Sequence, residues 1–184
     1  MKHKIAALLV GGLAMGALAG CQLTADPAPT ITAEAMVDYP YYETYAELAE
    51  QADLVVTGEV ISQEQVELDY SVGASADPEP YRVLEVKLTG VVAGDAQPGD
   101  TIQVAQYGGI VDGVLHTEAG AYPLEVGQTY GLILKSVADK PALTFSPYQS
   151  IYLLHDDGTF RAVGAGNPIA GEVEELLAPF GGDS

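Results

Sequence analysis

The sequence is poor in basic side chains. It has 7 Lys and Arg against 26 Asp and Glu among 184 residues, so its formal net charge is -19 at pH 7. A protein that binds nucleic acid needs clustered Lys and Arg to contact the phosphates. The composition therefore argues against nucleic acid as a partner.

Cysteine and histidine are also scarce. Cys21 is the single cysteine, which excludes an internal disulfide and a zinc site built from several cysteines. Beyond the first twenty residues, the histidines are His116 and His155, which are far apart in the sequence. Because a transition metal needs more converging ligands than these two provide, we predict no metal site and no cofactor.

Residues 1–20, MKHKIAALLVGGLAMGALAG, have the organisation of an export signal. Lys2 and Lys4 make the start positive, and an uncharged apolar run follows from Ile5 to Ala19. The alternative is a transmembrane helix. However, the run is shorter than the usual span of about 20 residues, it is rich in Gly and Ala, and the chain turns polar at Gln22. We therefore predict a signal peptide over residues 1–20.

The end of this signal, Leu18-Ala19-Gly20-Cys21, resembles the lipobox of bacterial lipoproteins. The resemblance implies cleavage between Gly20 and Cys21, with a diacylglyceryl group on the Cys21 sulfur and often an acyl group on its new amine. Several acyl chains hold a protein firmly on a bilayer. The alternative is that Cys21 merely packs within the apolar segment. The resemblance predicts a lipid-anchored protein on the cell membrane or the outer membrane, with its domain outside the cytoplasm.

Two further regions follow the signal. Residues 21–40 contain Pro27, Pro29 and Pro40 among Ala, Thr and acidic residues, which predicts a semi-extended tether after the lipidated cysteine. Residues 41–184 are predicted to form one domain. A domain this acidic should be repelled by anionic headgroups, so we expect it to stand off the membrane surface.

The hydrophobic pattern of the domain predicts a mainly β fold. Thr44 and Glu47 form a capping-box pattern before a short helix over 45–52, and Asn167 is the predicted N-cap of a C-terminal helix. Residues 64–80 are predicted to be a polar loop. Alternating apolar residues and hairpin signals at Asp112-Gly113 and Asp157-Gly158 predict five or six strands, including 53–61, 81–92, 101–107, 129–136 and 148–154. A small OB-like barrel with a helix at each end is the expected architecture.

Several strand segments resemble those of known domains. Residues 48–60 (LAEQADLVVTGEV), 81–86 (YRVLEV), 98–102 (PGDTI) and 124–134 (LEVGQTYGLIL) look like uncharacterised secreted bacterial domains. Their order is similar to that of netrin-like domains, the OB-type barrel of tissue metalloproteinase inhibitors. That resemblance implies the fold alone. The inhibitors carry several disulfides and chelate zinc through a free N-terminal Cys, and lipidation of Cys21 would block such chelation.

Few residues suggest chemistry. The loop acids Glu67, Asp69, Asp77 and Glu79 offer oxygen ligands of the kind that Ca²⁺ prefers, but they form no recognisable calcium loop, so solvated surface is the preferred interpretation. No nucleophile-elbow or phosphate-loop motif is present, so no catalytic residue is predicted.

Tyrosine is unusually common, with 11 Tyr, 3 Phe and no Trp. Tyr39, Tyr41 and Tyr42 cluster at the junction of tether and domain, and tyrosine is enriched at recognition surfaces. We predict an interaction surface there, although simple packing explains the same residues. The leading hypothesis is a non-catalytic module that binds an extracytoplasmic protein or peptide. The alternatives are a cell-envelope hydrolase that uses loop carboxylates and a purely structural envelope lipoprotein.

Overall fold

The computed structural model describes residues 31–71 and 78–182. The predicted signal, the lipobox with Gly20 and Cys21, and the loop acid Asp77 lie outside these residues, so those predictions stay predictions. Within the described ranges, no helix is both long enough and apolar enough to cross a bilayer.

The described residues contain ten strands and two α-helices. The α-helices are α1 (Tyr45–Ala49) and α2 (Ala170–Leu177), and a 3-10 helix, Ala178–Phe180, follows α2. The strands are β1 (Ile31–Ala35), β2 (Leu54–Leu68), β3 (Glu79–Ala93), β4 (Thr101–Tyr107), β5 (Gly109–Val111), β6 (Val114–Glu118), β7 (Thr129–Val137), β8 (Lys140–Thr144), β9 (Ile151–Leu154) and β10 (Phe160–Ala162).

Five of the strands close into a barrel. The sheet order is β7-β2-β3-β4-β8, and β8 pairs again with β7. The neighbours are antiparallel except for the parallel pair of β4 and β8. Closure pairs every strand on both sides and so removes exposed barrel edges. The predicted fold class, a small mainly β, barrel-like domain with a short N-terminal helix and a C-terminal helix, is confirmed, although the described residues contain ten strands where five or six were predicted.

Alternation along the strands fills the barrel, as predicted. Leu84, Val86 and Leu88 of β3 belong to one buried cluster, and Tyr130, Leu132 and Leu134 of β7 belong to the same cluster. The intervening Ile133 belongs to a second cluster outside the barrel, together with Leu48, Val173 and Leu177 from the two helices. The helices therefore pack on the outer surface of the barrel, where they cover β7 and its neighbour β9.

Glycines permit the sharp features of this sheet. The register of β2 against β3 shifts between Thr57 and Gly58. A Cβ on Gly58 would lie 2.7 Å from the Lys87 carbonyl oxygen. At the β5–β6 hairpin, Asp112 and Gly113 both have positive φ, as the two central residues of a type I′ turn require.

Part of the segment predicted to be a tether is a β-strand. Residues 31–35, which fall within the range 21–40, form β1 and pair in parallel with β6, and β5 lies on the other side of β6. Backbone hydrogen bonds hold β1, while Ile31 stays 61% exposed. A composition rich in Ala, Thr and acids concealed this strand, because edge strands need few buried side chains.

Two boundaries also differ from the predictions. The loop predicted over 64–80 is shorter, because Val66 and Leu68 extend β2 by packing against Tyr81. The strand predicted from 148 begins at Ile151, since the Ser150 N–H bonds to the Ser146 carbonyl in a turn.

The capping predictions had opposite outcomes. The capping box of Thr44 and Glu47 is present at α1, which ends at Ala49. Asn167 does not cap α2, whose N-cap is Ile169. The Asn167 Oδ1 instead accepts a hydrogen bond from the Ile169 N–H in a turn before the helix, and its Nδ2 donates to the Tyr152 hydroxyl.

Candidate functional site

A cavity of about 470 Å³ lies at one end of the barrel, where β3 and β4 meet β6 and the segment after it. This volume falls within the range of about 300–1,000 Å³ that is usual for ligand pockets. The residues that matter for its chemistry are Tyr39, Tyr81, Arg82, Gln106, Tyr107 and Glu118.

Arg82 and Gln106 close the barrel interior at this end. They continue the inward-facing series of their strands, because Arg82 lies two residues before Leu84 of β3 and Gln106 lies two residues after Val104 of β4. The Arg82 Nη2 donates to the Gln106 Oε1 at 2.8 Å. The same Gln106 oxygen accepts from the Leu124 N–H at 3.0 Å, and the Gln106 Nε2 donates to the Tyr122 carbonyl at 3.1 Å. One buried amide thus fixes the segment that passes over the barrel end.

Burial disfavours the charge on Arg82 and lowers its pKa from the usual range, while Tyr130 and Glu125 act in the opposite direction. Arg82 forms no ion pair with the described acidic residues. Hydrogen bonds to Gln106 and to the Leu124 carbonyl therefore replace much of the hydration that the guanidinium loses on burial.

The Gln65 side chain of β2 holds β5 in place at another side of the cavity. Its Nε2 donates to the Ile110 carbonyl at 2.7 Å, and its Oε1 accepts from the Ile110 N–H at 2.6 Å. The amide therefore pairs with β5 as a neighbouring strand would. Gly109 permits this approach, because a Cβ there would lie 2.6 Å from the Gln65 Oε1.

Glu118 is the unusual residue of the cavity. It ends β6 and is 7% exposed, and its Oε2 accepts a hydrogen bond from the Tyr39 hydroxyl at 2.8 Å. Its Oε1 is buried and has no hydrogen-bond partner among the described residues. Burial raises the pKa of Glu118, and the bond from Tyr39 offsets part of that rise.

Tyrosine rings surround this carboxylate region. Tyr81 lies between Tyr70 and Tyr107, with ring centroids 4.9 Å and 5.8 Å away. Burial, followed by the charge of Glu79 and smaller contributions that include Glu118, raises the pKa of Tyr81 to about 12. The phenols therefore stay neutral at physiological pH and present neutral rings and hydroxyl groups.

The three tyrosines of the predicted interaction surface have different surroundings. Tyr39 lines the cavity, whereas Tyr41 is exposed and its hydroxyl donates to the Gly166 carbonyl at 3.4 Å. Tyr42 packs its ring against Phe145 and bonds through its backbone to the Gln149 side chain. The role of these residues in binding a partner stays a prediction.

Of the loop acids, Glu67 lies near the end of β2 and Glu79 begins β3, where it pairs with Leu68. Asp69 accepts hydrogen bonds from Ser71, and this contact lowers its pKa. His116 lines the cavity, whereas His155 lies in the β9–β10 turn. Across residues 31–71 and 78–182, no group of three or more His, Cys, Asp or Glu is arranged to hold a metal ion.

Sequence reasoning missed Glu118, Gln106 and Arg82. Each is a polar residue within a strand. Alternation by itself predicts that an isolated polar residue of a strand faces the solvent. One signal was available for Gln106, which continues the inward-facing series of Ile102 and Val104 at every second position.

A scan against protein-family models found no match, and a search of curated proteins found none either. The fold and the cavity therefore provide the structural basis for a functional proposal, together with the sequence of the first 21 residues.

Proposed function

We propose that this protein is a lipid-anchored extracytoplasmic binding module whose ligand enters the cavity at the barrel end. The acyl groups on Cys21 would hold it on the bilayer, and an extracytoplasmic protein or peptide is the expected partner. The lipobox resemblance supports the anchoring.

One observation carries the binding proposal. A buried carboxylate with an unpartnered oxygen, Glu118, borders a cavity of ligand size. Leaving a buried polar atom unpaired costs about 1–3 kcal/mol, and a charged group costs more. A ligand that brings positive charge into the cavity beside Glu118 would offset part of the cost of burying this carboxylate.

No observation favours the hydrolase alternative to the same degree. Hydrolysis by paired carboxylates needs two acids with separated pKa values in one site. Glu118 is the one Asp or Glu among the described residues that line the cavity.

The proposal is tested in a bacterial host that makes lipoproteins. The native chain and the Cys21→Ser variant are expressed, and their cells are separated into soluble and membrane fractions. We expect the native chain in the membrane fraction and in the detergent phase, because its acyl chains bury methylene groups. The variant should leave the detergent phase. Equal partitioning of the two chains would refute lipid anchoring.

Cross-linking in intact cells tests the binding half of the proposal. A photoreactive residue placed at Ile110, which borders the cavity and is 45% exposed, should capture a partner. The same residue at the exposed Leu176, on α2, is the matched control. An identical set of adducts at both positions would contradict a binding role for the cavity.

A further inference from the structure

The chemistry of the cavity indicates which kind of ligand it takes, provided that the cavity is the binding site proposed above. Glu118 supplies a carboxylate that is more than nine-tenths buried, and its Oε1 has no partner among the described residues. Its second oxygen is held by Tyr39, which fixes the carboxylate beside the cavity. A fixed acceptor in a poorly solvated site favours a ligand that carries positive charge.

The aromatic lining favours the same charge. Tyr39, Tyr81 and Tyr107 border the cavity, and the rings of Tyr81 and Tyr107 meet edge to face. The face of an aromatic ring is the negative end of its quadrupole, so it attracts cations such as Lys side chains and quaternary ammonium groups. Tyrosine rings beside a carboxylate are typical of a site that takes a cation.

The one Arg among the described lining residues is already engaged. Arg82 donates to the Gln106 Oε1 and the Leu124 carbonyl, and it lies on the same inward face of β3 as Leu84. Tyr81, the adjacent residue, belongs instead to the cluster on the outer face of the strand. After burial, the negative charges of Glu79 and Glu118 raise the pKa of Tyr81, so these two carboxylates make the potential at its hydroxyl negative.

From these observations we infer that the cavity binds an ammonium group against Glu118 and the rings of Tyr39, Tyr81 and Tyr107. The ammonium group can come from a free small amine or from a lysine side chain of a peptide. The two sources share this chemistry, and a binding experiment separates them.

The experiment titrates the full chain in detergent with defined probes at physiological salt. The probes are n-butylammonium, the peptide Gly-Lys-Gly with blocked termini, the neutral n-butanol and the anionic butyrate. Calorimetry measures the affinity, and a melting curve verifies that each variant is folded. At low ionic strength a chain of net charge -19 attracts any cation without specificity, and physiological salt screens much of this attraction.

Two variant pairs locate the binding. Glu118→Gln removes the buried charge, and Glu175→Gln removes an equal charge from the exposed surface of α2. Tyr107→Phe keeps the ring, and Tyr107→Leu removes it. We expect Glu118→Gln to weaken ammonium binding by about tenfold or more, because losing a buried charge partner costs more than the roughly 1.4 kcal/mol of a tenfold change. Glu175→Gln should bind as the native chain does, and Tyr107→Leu should bind more weakly than Tyr107→Phe, because it lacks the aromatic ring.

The outcomes are distinct. Saturable binding of n-butylammonium supports the inference and indicates a small amine, whereas binding of the lysine peptide alone supports it and indicates a peptide. Equal losses in Glu118→Gln and Glu175→Gln would overturn it, because they would show diffuse charge attraction. Binding of n-butanol or butyrate in place of both ammonium probes would also overturn it, although the cavity would still be a binding site. Lipid anchoring is measured separately and stands under either result.

Discussion

Replacing Glu118 by Gln should stabilise the protein at neutral pH. The substitution keeps the shape of the side chain and an oxygen that can accept the bond from Tyr39, but it removes a buried negative charge with an unpartnered oxygen. A buried polar atom without a partner costs about 1–3 kcal/mol and a charged one costs more, so the neutral amide lowers the cost although its nitrogen takes the unpartnered position. We therefore expect a gain of about 1–2 kcal/mol, which is roughly 2–8 °C in Tm for a chain of this size.

The pH dependence of this gain identifies its cause. Burial raises the pKa of Glu118 above its ordinary value of 4.5, so protonation favours the folded state. The stability of the native chain contributed by this group is therefore fully present below the ordinary pKa and is lost as pH rises through the raised pKa. A neutral Gln has no such dependence. The advantage of the variant should be largest at neutral pH and should shrink as the pH falls toward 4.5.

Melting curves of the two chains at several pH values, under identical salt and detergent, measure this difference. Taking the difference between chains removes the titration of every other carboxylate. A variant that is less stable at pH 7, or an advantage that stays constant down to acid pH, would refute the claim that Glu118 carries a costly buried charge.

Three further predictions concern the segments around the cavity and the first helix. Gln106→Leu should lower the free energy of unfolding by about 2–3 kcal/mol in denaturant titrations, because it removes the partner of the Arg82 Nη2 and of two backbone groups, whereas Gln63→Leu, at an exposed position, should change it by under about 0.5 kcal/mol. Gly109→Ala should increase amide exchange in β5, because its Cβ would displace the Gln65 amide; unchanged exchange would contradict that assignment. Thr44→Ala should cost about 1 kcal/mol through loss of the N-cap, and an unchanged Tm would count against the capping box.

The barrel could be predicted from the sequence because its strands alternate. Ile133, which lies between Leu132 and Leu134, faces the other side, and β-branched residues are the majority over 54–61 of β2, so period and propensity agree. The type I′ turn at Asp112-Gly113 was predictable because its φ values demand such residues.

Other elements could not be predicted because their stability is not local. β1 depends on the backbone edge of β6, which is 79 or more residues further along the chain, and its own side chains are largely exposed. Asn167 is a residue type that favours the N-cap position. Its amide instead donates a hydrogen bond to the Tyr152 hydroxyl, and the helix starts later.

The cavity depends still more on long-range contacts. Glu118 and Tyr39 come together only because β1 pairs with β6, and Tyr81 and Tyr107 come together only in the β3–β4 register. A single sequence reports composition and periodicity, and neither indicates that these four side chains share one site.

The most direct test of the anchored binding module is the intact mass of the protein extracted from membranes. We predict a chain that begins at Cys21 and carries a diacylglyceryl group, with an additional acyl group where the host transfers one. A Cys21→Ser chain should lack both modifications. An unmodified native chain that still begins at Met1 would contradict the lipid anchor, and with it the proposed place of action outside the cytoplasm.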